Sequence, residues 1–435
     1  MKKVNVIGAG LAGCEAAYCL AKAGYAVHLY EMKPLQKSPA HHSDTFAELV
    51  CSNSLKSDDV TSACGLLKEE MRLLDSLIIS CADQTRVPAG GALAVDRKLF
   101  SEKITQKIKE CDGIEVHCER VTEIPNGKTI IATGPLTDDG LIPALQRLCG
   151  KDFLYFYDAA APIVSKESID FNSAFVSSRY GKGTDDYVNC PMNEVEFFTF
   201  WPELTKAKTA QVKDFEETAV FEGCMPIEVM AKRGVDTIRF GPLKPVGLRN
   251  PKTDKRPYAV LQLRKEDVSE SMYNLVGFQT HLTFEEQRRV FSLIPALKNA
   301  EFLRYGVMHR NTYLNAPELL TKEFRLKTNE DVYFAGQITG VEGYVESAAS
   351  GLVAAMQLIA ADCGKTLDFT QETMTGALSC HVATLSERYQ PMNSNFGILQ
   401  PLPTHISDKS KRKEAFAERA LRKIKEIKKE FLCLV

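Results

Sequence analysis

Val4-Asn5-Val6-Ile7-Gly8-Ala9-Gly10-Leu11-Ala12-Gly13 opens the chain with an apolar run that breaks at once into closely spaced glycines. Residues 14–23 then carry a helical pattern, Gly24 ends it, and residues 26–30 form a second apolar run closed by Glu31. Strand, glycine turn, helix and strand in this order is the pattern of a dinucleotide-binding βαβ unit. The first glycine allows the tight turn, the second lets backbone approach a pyrophosphate, and the third lets helix pack on strand. The helix N-terminus presents unpaired N–H groups to the phosphates. Glu31, 18 residues beyond Gly13, is placed to accept hydrogen bonds from ribose hydroxyls.

The 435 residues suffice for two or three domains. A hydrophobic share of 44% with 25% charged residues is that of an ordinary globular protein. No apolar run is expected to approach the roughly 20 residues that span a bilayer. Because residues 4–7 already read as a strand, a signal peptide is not expected, and the expected location is cytoplasmic. The thirteen cysteines include no C-x-x-C pair, so neither a disulfide framework nor a metal site is expected. A formal net charge of −2 gives no global attraction to nucleic acid, so a polyanionic partner would be held by local patches.

Two later stretches return to the same kind of turn. Residues 128–132 read as a strand ending in Ala132-Thr133-Gly134-Pro135, and residues 331–337 as a strand running into Ala335-Gly336-Gln337. A helix over residues 346–363, rich in small residues, follows the second. One βαβ unit suits NAD, whereas three returns to one site suit the longer FAD. FAD is accordingly assigned to Gly8, Ala9, Gly10, Leu11, Ala12, Gly13, Glu31, Gly134, Gly336, Gln337 and Tyr344. No second glycine fingerprint follows a strand, so a nicotinamide donor, NADPH or NADH, would bind transiently.

The fold class expected is α/β, a Rossmann-like FAD domain of glutathione-reductase type with an inserted α+β domain. The expected division is 1–157 and 323–370 for the FAD domain, 158–322 for the insertion, and 371–435 for a tail. Within the insertion, residues 196–200, 237–240, 258–263 and 274–278 read as strands and 284–293 as a helix; in the first part, residues 66–77 read as one helix. In the tail, Phe416, Ala420, Ile424, Ile427, Phe431 and Leu434 form one apolar stripe, with ten Lys or Arg against three Glu from Lys409 to Lys429.

Candidate chemistry rests on few residues. Cys224, in Glu222-Gly223-Cys224-Met225-Pro226, reads as an exposed turn; Cys51 lies among Ser52, Asn53 and Ser54. A catalytic thiol needs a positive or hydrogen-bonding environment, and by chemistry alone each reads as a buried structural thiol. Lys244, Arg249, Lys252, Lys255, Arg256, Arg264 and Lys265 form a basic cluster around a turn at Asn250-Pro251, either a solvated loop or a phosphate-contacting edge. His309 precedes the return to the first domain, and Tyr344 follows the third glycine turn.

Several motifs resemble one family over the whole chain: Glu48-Leu49-Val50-Cys51-Ser52-Asn53, Glu222 to Glu228, Arg239-Phe240-Gly241-Pro242-Leu243-Lys244-Pro245, Ala335 to Tyr344, and Gln390-Pro391-Met392-Asn393. The family is the folate- and FAD-dependent tRNA (uracil-5-)-methyltransferases called TrmFO. The resemblance implies that Cys224 is the nucleophile and Cys51 its partner thiol. On chemistry, Arg97 is a candidate donor to the charge developing on O4 of a reacting base, and Lys244, Arg249, Lys252 and Arg256 are candidate contacts to RNA phosphates; the resemblance implies that Tyr344 stacks near the flavin and His309 against folate. It further implies methylation of C5 of uridine 54 with 5,10-methylenetetrahydrofolate as one-carbon donor, NAD(P)H as reductant, and a base turned out of its stack. The rivals are a paralogous 23S rRNA uridine methyltransferase, the GidA type of wobble-uridine modifier, which is longer, and a small-molecule flavin oxidoreductase.

Overall fold

A computed structural model describes residues 2–150, 154–181, 184–210, 225–386 and 389–435, with residues 154–158, 309 and 310 described by backbone. β1 (Lys3–Ile7) pairs in parallel with β2 (Ala26–Glu31), and α1 (Leu11–Lys22) joins them. Ile114–Cys118 adds to the outer side of β2, Thr129–Ile131 to β1, and Val332–Phe334 to Thr129–Ile131, making a five-stranded parallel sheet. Its inner strands are covered on both faces, as parallel pairing requires, with Val6, Ile130 and Ile131 wholly buried.

The helix Tyr344–Asp362 lies against α1, with the absent side chain of Gly351 facing the Ala12 carbonyl. By length and composition this helix is apolar enough to cross a bilayer, which corrects the expectation that no segment comes near that requirement. It is 89% buried within the molecule, so its apolarity is accounted for by packing.

The expected helix over 66–77 is two helices, Ala63–Leu73 and Leu77–Gln84. Asp75 turns the chain at φ +59°, and Ser76 caps the second helix through the Ile79 N–H. The buried Glu15 carboxylate accepts from Ser76 Oγ (2.7 Å) and from the N–H groups of Leu77 and Ile78 (both 2.9 Å). Apolar periodicity runs on through residues 66–77, but this second donor set for a helix start interrupts it.

A second sheet is antiparallel, in the order Phe175–Val176, Tyr187–Met192, Ala259–Lys265, Met272–Leu275, Ile163–Ser165, Phe302–Arg304. Its core, with Phe197, Phe200 and Phe278, is a hydrophobic cluster separate from that of the parallel sheet. Leu154–Ala159 and Met308–Tyr313 pair antiparallel as the ribbon where the chain leaves and returns. Two strand expectations fail here. Residues 196–200 lie in the helix Glu194–Lys206, started by a reciprocal capping box between Asn193 and Glu196. Phe197, Phe200 and Leu204 are buried at helical spacing, so helical burial overrides the strand preference of the aromatics. Residues 237–240 lie in the short helix Val235–Phe240, of which Ile238 alone is buried; one anchored residue suits a helical turn better than an alternating strand face.

The tail helix Lys409–Leu432 docks by the expected stripe on the first core, burying Ala420, Ile424 and Ile427. Arg419 is buried and donates to the carbonyls of Gln400 and Pro401, while Lys411, Arg422, Lys425 and Lys429 face solvent.

Burial pushes the Glu15 carboxyl up from 4.5 to about 7, against the opposing hydrogen bonds. A folded-state value above the unfolded one means that its contribution is fully present below 4.5 and is lost as pH rises through 7, on the order of 3 kcal/mol. Glu15→Gln is expected to flatten the fall of the unfolding midpoint across that window, measured by calorimetry at several pH values.

Candidate active site

The three glycine turns meet at one cleft of about 1190 Å³, counted to its open mouth. Gly8 to Ala12 and Glu31 line it from the first βαβ unit, Ala132 to Leu136 from the second return, and Gly336, Gln337, Tyr344 and Ser347 from the third. The glycines divide the work as their spacing predicts. Gly8 sits at φ +98°, and a Cβ there would stand 2.6 Å from the Ala132 carbonyl oxygen. At Gly13 a Cβ would stand 1.8 Å from the Gly8 carbonyl oxygen, so this residue packs the turn and does not line the cleft. Around Gly10 nothing lies within 4 Å of that position, which leaves room for a ligand to approach the backbone. Glu31 accepts from the N–H groups of Ala9 (2.9 Å) and Lys33 (3.0 Å). These features fit FAD: an open cradle at the α1 N-terminus, an acidic group behind it, and two further turns along a long groove.

The other side of the cleft is made by residues 32–50, which carry no periodic pattern that would mark them in the sequence. Lys33, Ser38, His41, Ala47, Glu48 and Val50 all line it. Burial and the nearby Lys33 lower the His41 imidazole from its ordinary value.

Beyond Val50 the chain passes Cys51, held from every side. Tyr344 Oη accepts from the N–H groups of Cys51 (2.7 Å) and Ser52 (3.3 Å), so the residue that begins helix Tyr344–Asp362 ties this loop to the cleft. Arg97 donates to the carbonyls of Leu49 and Cys51, and to Glu266 at 2.8 Å. Arg264 donates to Ser52 Oγ (2.7 Å) and Asn53 Oδ1 (3.0 Å), and Arg304 to the Val50 carbonyl. Burial pushes Arg264 and Arg304 down from the usual arginine range, yet both remain cations at neutral pH. All three guanidinium groups interact electrostatically with Cys51, the kind of surroundings that favour a thiolate. Cys51 Sγ itself donates to the Ala159 carbonyl at 3.8 Å.

His309 is described by its backbone, which pairs with Asp158 beside Ala159, so its strand runs next to the Cys51 loop. Cys224 lies outside the described residues. The basic cluster divides. Lys244, Arg249, Lys255 and Arg256 are exposed, but Lys252 Nζ donates to the carbonyls of Phe171, Asn172 and Ala174, and Arg249 pairs with Asp254. Arg264 and Lys265 do not belong to this turn at all: Arg264 points inward to the Cys51 loop, and Lys265 pairs with Glu270.

The family described as glucose inhibited division protein A matches residues 3–365. Relatives named methylenetetrahydrofolate--tRNA-(uracil-5-)-methyltransferase TrmFO are 58% identical in Listeria welshimeri, over 98% of this chain and 99% of the relative, and 59% identical in Acetivibrio thermocellus, over 97% and 98%. The Bacillus subtilis relative of the same name is 56% identical over 98% of each. The chain belongs to the TrmFO family. A crystal structure of Aquifex aeolicus GidA superposes with a TM-score of 0.70 at 17% identity, covering 99% of this chain and 75% of that one, and so shares the fold. A TrmFO chain is thus a mixed α/β protein with an FAD-binding parallel sheet, and the GidA structure carries the longer chain.

The arginines of the TrmFO Cys51 loop could be found in the sequence only in part. Arg264 stands out as a cation near the end of the largely apolar run Ala259 to Leu263, but Arg304 lies 254 residues from Val50 with nothing local to mark it.

Gly13→Ala is expected to cost at least about 3 kcal/mol through overpacking and to yield protein without flavin absorbance. Arg264→Met is expected to keep the flavin and slow the alkylation of Cys51 several-fold, read by peptide mapping after iodoacetamide.

Proposed function

We propose that this enzyme methylates C5 of uridine 54 in the T loop of tRNA, with the one-carbon unit from 5,10-methylenetetrahydrofolate and NAD(P)H as reductant. The observation that carries the reading is the cationic loop of Cys51, which borders a three-turn dinucleotide cleft through Tyr344. Gly8 to Ala12, Glu31, Gly134, Gly336 and Gln337 would hold FAD, with Gly13 packing the turn behind them; when bound, FAD supplies the carrier for the one-carbon unit and the hydride that completes the methyl group.

The chain's own residues prepare the base. The Cys224 thiolate adds to C6 of uracil, breaking the C5–C6 double bond and making C5 an enolate carbon nucleophile. Once C5 carries the new carbon, Cys51 as thiolate removes the C5 proton, and Cys224 leaves C6 with its bonding electrons. Arg97, Arg264 and Arg304 keep the Cys51 loop in place and favour its thiolate; Arg97, with donors on Leu49, Cys51 and Glu266, serves this purpose in preference to binding O4. Tyr344 faces the flavin end of the cleft, and the strand of His309 supplies a wall for the folate. The tRNA would be gripped by Lys244, Arg249 and Arg256 together with the exposed basic face of the tail helix, while Lys252 anchors the turn.

The division proposed is a cofactor domain of residues 1–157 and 323–370, an inserted α+β domain of 158–322, and a tail of 371–435; the separate core of the antiparallel sheet supports the insertion, while Tyr313, Leu314, Leu319 and Leu320 and the tail helix pack on the core of the parallel sheet. The setting proposed is the cytoplasm.

Incubated with unmodified tRNA, methylenetetrahydrofolate and NADPH, the enzyme is expected to form 5-methyluridine at one position. Cys224→Ala is expected to abolish it and Cys51→Ala to slow it about 100-fold or more. Product from the Cys224→Ala protein at the parent rate would overturn the mechanism.

A further inference from the structure

β2 and the edge strand Ile114–Cys118 pair in parallel with His28 opposite Glu115 and Tyr30 opposite His117. Paired residues and their neighbours two places along share a face, so His28, Glu115 and His117 converge on the same side of the sheet. His28 Nδ1 lies 2.9 Å from His117 Nε2. Glu115 reaches His28 Nδ1 at 3.4 Å through one oxygen and His117 Nε2 at 3.7 Å through the other. Four-coordinate zinc, with bonds of about 2.0–2.2 Å to nitrogen and oxygen, sets its ligand atoms about 3.3 Å apart. The three observed separations bracket that edge length.

Two more features mark the cluster. The ion pairs of Glu115 are with these two imidazoles, and among the described residues no lysine or arginine pairs with it. The side chains of His28, His117 and Glu115 are 23%, 28% and 67% exposed, so an ion can reach them from solvent and keep a water in its fourth position. We propose that His28 Nδ1, His117 Nε2 and the Glu115 carboxylate form a binding site for one divalent transition-metal ion of the zinc type.

An ion here would clip the edge strand to β2, replacing a single imidazole–imidazole hydrogen bond by three coordinate bonds. It would also fix the ring of His117, on which Tyr30 stacks at 4.8 Å, and Tyr30 lines the dinucleotide cleft. The expectation of no metal rested on the cysteines; these histidines are 89 residues apart and meet only through strand register.

The test uses the full-length flavoprotein, treated with chelator and titrated with cobalt(II), whose visible spectrum reports its ligands. One equivalent is expected to bind with ligand-field bands but no intense thiolate charge-transfer band, to be displaced by zinc, and to raise the unfolding midpoint. Both His117→Gln and Glu115→Gln are expected to weaken the affinity by about tenfold or more; Glu115 is exposed enough that its variant folds normally. No uptake at micromolar cobalt, a thiolate charge-transfer band, or an affinity unchanged in either variant would overturn the proposal.

Discussion

Around the first turn of α1, backbone packs directly on backbone. A Cβ at Gly8 would press on the Ala132 carbonyl, one at Gly13 on the Gly8 carbonyl, and one at Gly351 on the Ala12 carbonyl, each at 2.6 Å or less. Main chain cannot yield as a flexible side chain does, so these positions hold glycine for want of space. Because they do, the strand ends at Ile7, Ile131 and Phe334 reach one point, and helix Tyr344–Asp362 lies close enough to α1 to bring Tyr344 to the cleft. The site is a consequence of side chains left out.

The opposite requirement shapes residues 49–53. Irregular backbone buried between two sheets has carbonyl and N–H groups with no ladder to join, and each must find a partner. Arg97, Arg304 and Tyr344 provide them, and the Asn53 side chain ties the loop to its neighbours: Nδ2 donates to the carbonyls of Val95 and Lys265 while its oxygen accepts from Arg264. Guanidinium groups suit this task because a fixed fork of donors can hold several acceptors at once. The same three cations surround Cys51, so the means of fixing the loop and the means of favouring a thiolate coincide. Arg264 and Arg304 come from the antiparallel sheet and Arg97 and Tyr344 from the body of the parallel one, so the loop couples the two.

Local readings held where one interaction range decided the outcome. The glycine turn, α1, β2, the tail stripe and the strands at 114–118 and 129–131 each follow from neighbours a few residues away. Residues 196–200 are helical because the Asn193–Glu196 capping box starts a helix there and Phe197, Phe200 and Leu204 fall at helical spacing, both legible in the sequence. The helix over 66–77 failed for a reason not legible there: the donors that start its second half are taken by Glu15, about sixty residues earlier. Arg264 and Lys265 were grouped by proximity in sequence with a turn they do not belong to, since their strand carries them under the Cys51 loop.

By itself the sequence determined the first βαβ unit, its two later returns and the acid at Glu31, because glycine spacing and strand or helix period are short-range constraints written in consecutive residues. Only the tertiary structure decided what surrounds Cys51, that residues 32–50 wall the cleft, and that His28, Glu115 and His117 share a face. Tyr344 and Cys51 stand 293 residues apart, and over such distances the partner of a side chain is chosen by how sheets and helices pack, which no local pattern records.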